Sequence, residues 1–97
     1  MTQIHAREPL DYRNVALELL SITDLTDALG VEKSADLLNT SRRSIYTVRN
    51  TNVLGIDRHT VLINAVRANE SACRQRLVVL RQRQNDKAAR MAARKAA

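Results

Sequence analysis

Aromatic side chains are nearly missing from this 97-residue chain, which has Tyr12 and Tyr46 but no phenylalanine or tryptophan. Proteins that hold RNA or single strands by stacking bases need aromatic platforms, so that mode is disfavoured. Glycine occurs twice and proline once. With so few turn formers, and a core left to leucine, isoleucine, valine and alanine, the composition predicts an all-α fold. Cys73 is the single cysteine, which excludes an internal disulfide framework and fits a reducing cytoplasm. No apolar run approaches the roughly 20 residues needed to span a bilayer. The first residues also lack the basic segment and apolar run of a signal peptide. A soluble, cytoplasmic, nucleoid-associated protein with no membrane partner is expected.

Catalytic constellations are lacking too. His59 and Cys73 are fourteen residues apart, about 21 Å along one helix, too far for a thiolate and its base. His5 falls in a terminal arm. No cysteine and histidine cluster has metal-ligand spacing, and no glycine-rich segment could cradle a phosphate. The chain is therefore read as a non-enzyme without metal or cofactor.

Charge is unevenly distributed. Residues 1–57 carry six basic and eight acidic side chains, whereas residues 58–97 carry ten basic and two acidic, within a net charge of +6. Such asymmetry suits a polyanion binder whose supporting helices face away from the phosphates. Ninety-seven residues make one domain. A chain of this size buries only about two thirds of the surface its unfolded form exposes, so a partner chain would help it.

Residues 31–50 hold the most specific pattern. Ala35 and Leu38 are three apart, Asn39 stands where the chain must turn, and Ile45 and Val48 are again three apart. Two elements this short hide those side chains only against each other and a third helix. Asn39 tolerates a left-handed conformation, and Thr40-Ser41 supplies a cap for a second helix. This is the anatomy of a helix-turn-helix, whose second helix enters the major groove.

At roughly 100° per residue, Ile45 and Val48 point inward, Arg43, Tyr46, Thr47 and Asn50 point outward, and Arg42, Ser44 and Arg49 lie on the flanks. Residues 41–52 contain no acid. Arg43 and Asn50 are the expected base readers, Tyr46 and Thr47 base or backbone contacts, and Ser41, Arg42 and Arg49 phosphate contacts.

The segment resembles the helix-turn-helix of phage-type transcription regulators. Leu29-Gly30-x-Glu32-Lys33-x-Ala35, with Ile45 and Arg49 downstream, is similar to the corresponding stretch of lambda cII-type activators. The resemblance covers about twenty residues. It implies transcription regulation by a chain of phage, plasmid or other mobile-element origin. The implied partners are double-stranded DNA and the transcription machinery.

Elsewhere the pattern predicts a loose arm over residues 1–9, in which Arg7 is a candidate groove contact, and a helix-turn-helix core over residues 10–56. Val15, Ala16, Leu19, Leu20 and Ile22 predict an amphipathic helix from Leu10, broken and restarted at Thr23 as a cap, with Leu25, Ala28 and Leu29 inward. Gly30 ends it. Asp57 is the expected cap of a long helix over residues 57–83, a rod of roughly 40 Å. Its stripe of Leu62, Val66, Asn69, Cys73, Leu77 and Leu80 approximates a coiled-coil seam with one asparagine for register: Val61, Leu62, Ala65 and Val66 are expected to complete the domain core, while Cys73, Leu77, Val78 and Leu80 project onward to a second copy in a homo-oligomer, a dimer foremost. The fold expected is thus a helix-turn-helix domain of three or four helices, followed by a long C-terminal helix with a basic tail.

The tail, residues 84–97, is alanine-rich and basic. Arg83, Lys87, Arg90 and Arg94 share one face wherever the chain is helical, and the segment is expected either as a solvated, partly frayed tail or as a phosphate-tracking tail that adds sequence-independent affinity. Two further readings fit the same features. One is a nucleoid-associated architectural protein that coats DNA through the basic helix; the other is a helical protein-interaction module that uses the long helix to hold a partner.

Overall fold

Ser21, and not Leu10, begins the first α-helix. In the computed structural model, which describes residues 10–96, Ser21 Oγ accepts the Asp24 N–H at 3.0 Å while the Asp24 carboxylate accepts the Ser21 N–H at 3.4 Å. This reciprocal capping box satisfies two orphan donors at once. It overturns the expectation of Thr23 as the cap, because Thr23 lies inside the first turn.

Over residues 10–20 the chain is a run of turns with a short 3₁₀ segment, Leu17–Leu19. The Asp11 carboxylate accepts from the Arg13 N–H at 3.1 Å and from Asn14 Nδ2 at 2.7 Å, local bonds that compete with a helix. These bonds hold the Asp11 carboxyl below its ordinary range, Asn14 contributing most. The expected helix from Leu10 is therefore absent. Leu17 and Leu20 turn inward at a spacing of three, and Leu19, expected in the apolar stripe, is 71% exposed.

Five α-helices follow: α1 (Ile22–Leu29), α2 (Val31–Leu37), α3 (Arg42–Thr51), α4 (Ile56–Ala68) and α5 (Glu70–Ala96). The chain is all-α with a long C-terminal helix. Gly30, at φ 93°, separates α1 from α2 without an intervening loop, a conformation open mainly to glycine. Helix α4 starts after Gly55 with no side-chain cap. Asp57, the expected cap, lies one residue inside, in the first turn, where its charge still complements the helix dipole.

The core draws on every element. Leu25, Ala28 and Leu29 of α1 are enclosed by Ala35 and Leu38, Ile45, Leu62, Ile63 and Val66, Cys73 and Leu77, with Leu17 and Leu20 at one end. The buried hydroxyls are bonded within their own helices: Thr26 Oγ1 donates to the Ile22 carbonyl and Ser34 Oγ to the Gly30 carbonyl, each at 2.8 Å. Neither therefore carries the cost of an unmade bond.

The rod expected over residues 57–83 is broken. Asn69 ends α4 at φ −137°, ψ 45°, and α5 starts at Glu70. Asparagine is a weak helix former with local bonding alternatives. The break lets α5 lie along α1, where Arg74 donates to the carbonyls of Tyr12 (3.2 Å) and Val15 (2.7 Å), and Arg76 to that of Ala28. The last contact satisfies one of the orphan carbonyls at the end of α1.

The predicted oligomer seam is consequently spent inside the chain. Leu62, Val66, Cys73 and Leu77 are each at most 4% exposed in the chain's own core, Leu80 is partly buried, and Asn69 is exposed at the break instead of lying in a seam. An interrupted rod folded back on α1 needs those side chains for its own core. Among the described residues, no helix is long and apolar enough to cross a membrane. The expected arm over residues 1–9, with His5 and Arg7, lies outside the described residues.

Candidate nucleic-acid interface

Helix α2 ends in the two hydrogen bonds of a Schellman turn. The Asn39 N–H donates to the Asp36 carbonyl (3.2 Å) and the Thr40 N–H to that of Ala35 (2.9 Å), with Asn39 left-handed at φ 53°. This is the pattern in which the residue past the cap adopts a left-handed turn and closes the last carbonyls. Ser41 then caps α3, its hydroxyl accepting the Ser44 N–H at 3.1 Å. A helix stop and a helix start within three residues set α3 at a fixed angle to α2, and Ala35, Leu38 and Ile45 pack in the corner between them.

The two sides of α3 differ as the periodicity predicts. Ile45 is 1% exposed and Val48 is half-buried, whereas Ser41, Arg42, Arg43, Tyr46, Thr47 and Asn50 are exposed. Tyr46 is 54% exposed, unusual for one of two aromatic rings in a chain with a small core. The Thr47 hydroxyl donates to the Arg43 carbonyl at 3.1 Å, so its donor is already used on this exposed residue. Arg42 and Arg43 make no ion pair among the described residues and sit in a first turn that contains no acid. Their charge adds to the positive end of the helix dipole.

Arg49 departs from its expected place at the phosphates. Its guanidinium turns inward, donating to Asp27 at 2.8 Å and to the Thr26 hydroxyl at 3.2 Å, and it lies 5.9 Å from the centre of the Tyr46 ring. The Asp27 carboxylate also pairs with Arg81 of α5 at 3.0 Å, and Arg81 reaches Asp24 as well. One acidic edge of α1 thus ties α3 to α5. Burial alone would disfavour the Arg81 charge, but its hydrogen bonds with Asp24, Tyr12 and Asp27 outweigh this and raise its pKa above the ordinary arginine value.

Asn52 is a second residue that pattern reading did not single out for this role. It ends α3 in a left-handed conformation, φ 55°, and its side-chain oxygen accepts the Ile22 N–H at 3.2 Å. The end of α3 is thereby fastened to the start of α1. The Ser21-x-x-Asp24 spacing announced the capping box, but no local signal marks partners as distant as Asp24 and Arg81 or Ile22 and Asn52.

The basic tail is helical as far as Ala96, and residues 82–95 are exposed throughout. Of the expected site residues, the structure brings Ser41, Arg42, Arg43, Tyr46, Thr47 and Asn50 onto one accessible helix and withdraws Arg49 into an ion network. Comparison of the chain with protein-family models, curated proteins and solved structures finds no match.

Proposed function

We propose that this protein is a sequence-specific double-stranded DNA-binding transcriptional regulator that presents α3 to the major groove and acts as a homo-oligomer. The observation that carries the reading is the division of α3: an apolar side sunk in the core, and an opposite side of Arg43, Tyr46, Thr47 and Asn50 left exposed on a helix clamped at both ends. A helix of ten residues is long enough to place three or four side chains against base edges. Arg43 offers a forked donor for guanine, Asn50 a donor and acceptor pair for adenine, and the Thr47 methyl an apolar contact for thymine. Arg42 and the capped start of α3 serve the phosphates. Arg49 positions Tyr46 and the helix, and does not itself reach the backbone.

A second reading, a nucleoid-associated architectural protein, is favoured by the exposed basic stretch of α5. Selecting bound sites from a random duplex library separates the two. Enrichment of a defined site, preferably repeated at one-turn spacing, is expected, and Arg43→Ala should cost about 1 to 3 kcal/mol at that site while relaxing preference at one base pair. Equal losses on all duplexes, or no enrichment, would favour the architectural reading. The homo-oligomer is tested by the mass of the protein in solution, free and on the selected duplex, and a single copy in both states would remove it.

A further inference from the structure

The arginines of α5 divide at residue 81. Arg74 holds Glu70 and two carbonyls, Arg76 holds the Ala28 carbonyl, and Arg81 holds Asp24 and Asp27. Beyond them Arg83, Lys87, Arg90, Arg94 and Lys95 are exposed and have no acidic partner among the described residues. The single acid of this stretch, Asp86, accepts from Gln82 at 3.0 Å. The same helix is therefore mortised into the body along its first half and bare along its second. At roughly 100° per residue, Arg83, Lys87, Arg90 and Arg94 fall within an arc of about 60° and form one stripe roughly 16 Å long.

We infer that residues 82–95 of α5 form a sequence-independent clamp for the phosphate backbone of double-stranded DNA, working beside α3. The acid Asp27 places the two together: one of its oxygens takes Arg49 of α3 and the other takes Arg81, the last anchored residue before the bare stretch. The clamp leaves the body just past Arg81, joined to the Arg49 end of α3 through Asp27, and extends roughly 22 Å further. Five cations against one acid repel a second copy of the same stripe, which argues against a helical pair here. Met91 is the large apolar side chain exposed on this stretch, and the others are alanines. An interfacial membrane helix needs a broad apolar face, so a lipid surface is a poor fit. A row of cations on one helix face can neutralise several duplex phosphates at once, the interaction that dominates sequence-independent binding.

The inference rests on the DNA reading only for the identity of the polyanion, and its test is independent of α3. Binding of a labelled random-sequence duplex of about 30 base pairs is measured across a salt series, for the full chain and for a full-length variant carrying R83Q, K87Q, R90Q and R94Q. Glutamine keeps helix propensity. Four lost phosphate contacts should lower the slope of log affinity against log salt by about 3 to 4 units, and a double variant, R83Q with R90Q, by about half of that. Preference for a selected site over the random duplex should not change. If Arg43→Ala alters neither affinity nor preference while the fourfold variant still flattens the slope, the α3 reading falls and the clamp stands. An unchanged slope in both variants overturns the clamp. So does binding that appears only on phosphatidylserine vesicles and is absent on the duplex.

Discussion

The Arg49 guanidinium lies 2.8 Å from the carboxylate of Asp27, on the side of α3 that faces α1. Asp27 is also a partner of Arg81, so one carboxylate bridges two guanidinium groups whose side chains are only 22% and 18% exposed. Replacing it by Asp27→Asn leaves Arg49 without an acidic partner and Arg81 with Asp24 alone, in a partly dry site. Loss of a fully buried partner costs about 3 to 5 kcal/mol and loss of an exposed one about 0 to 1. The intermediate exposure places this variant at about 1 to 3 kcal/mol, a fall in melting temperature on the order of 4 to 20 °C for a chain of this size. Glu18→Gln is the control. The Glu18 and Arg67 side chains are 63% and 52% exposed, and its melting curve should overlay that of the parent.

The two left-handed asparagines should respond differently to glycine. Asn39 and Asn52 have nearly the same φ, 53° and 55°, and glycine relieves the strain at both. Asn52 alone uses its side chain across the fold, accepting the Ile22 N–H. Asn39→Gly should therefore be neutral or slightly stabilising. Asn52→Gly should lose about 0.5 to 1.5 kcal/mol for the missing bond, less what the relaxed backbone returns. Denaturant midpoints decide it, and equal shifts for the two variants would mean that the Asn52 contact contributes nothing.

These residues also show what pattern reading can reach. The corner between α2 and α3 was legible because its signals are local: Asn39 at the turn, Ser41 at the cap, and Ala35, Leu38 and Ile45 at helical spacing. The outward side of α3 followed from the same arithmetic. Arg49 was misplaced because periodicity puts it on a flank, and only the fold brings Asp27, twenty-two positions away, against it. The long helix failed at Asn69 for a related reason. A stripe from Leu62 to Leu80 is compatible with a straight seam or with two helices folded on one core, and the choice is made by contacts to Tyr12, Val15 and Ala28 that lie far off in the chain. Residues 10–20 show the converse. Their apolar spacing suggests a helix, and the side-chain bonds of Asp11 override it.

Leu77 tests whether the former seam now serves the monomer. It is 1% exposed and packs in the common core. Leu77→Ala should cost about 2 to 5 kcal/mol through lost burial and the cavity left behind. Because the cost falls on the single chain, the shift in unfolding midpoint should be the same at low and high protein concentration. A shift that grows on dilution would mean that Leu77 also holds two copies together.

Cys73 gives a pH test of the same core. The side chain is 4% exposed, and burial pushes its thiol above the ordinary value of 9.0, only partly countered by the fields of Arg76 and Lys33. The sign follows from linkage. As pH rises past the unfolded value the unfolded chain gives up its proton first, so the native state holds more protons and stability falls with pH, by at most about 1.4 kcal/mol per pH unit for one group. Below that value both states are protonated and the residue contributes no pH dependence. Comparing the parent with Cys73→Ala from about pH 7 to about pH 10 isolates this group from lysines and tyrosines common to both. The stability difference between them should stay level up to the unfolded thiol's pKa and shift above it against the parent. A difference that stays level to the end of the series would mean that the thiol ionises as readily in the folded chain as in the unfolded one, and that α5 does not seal this edge of the core.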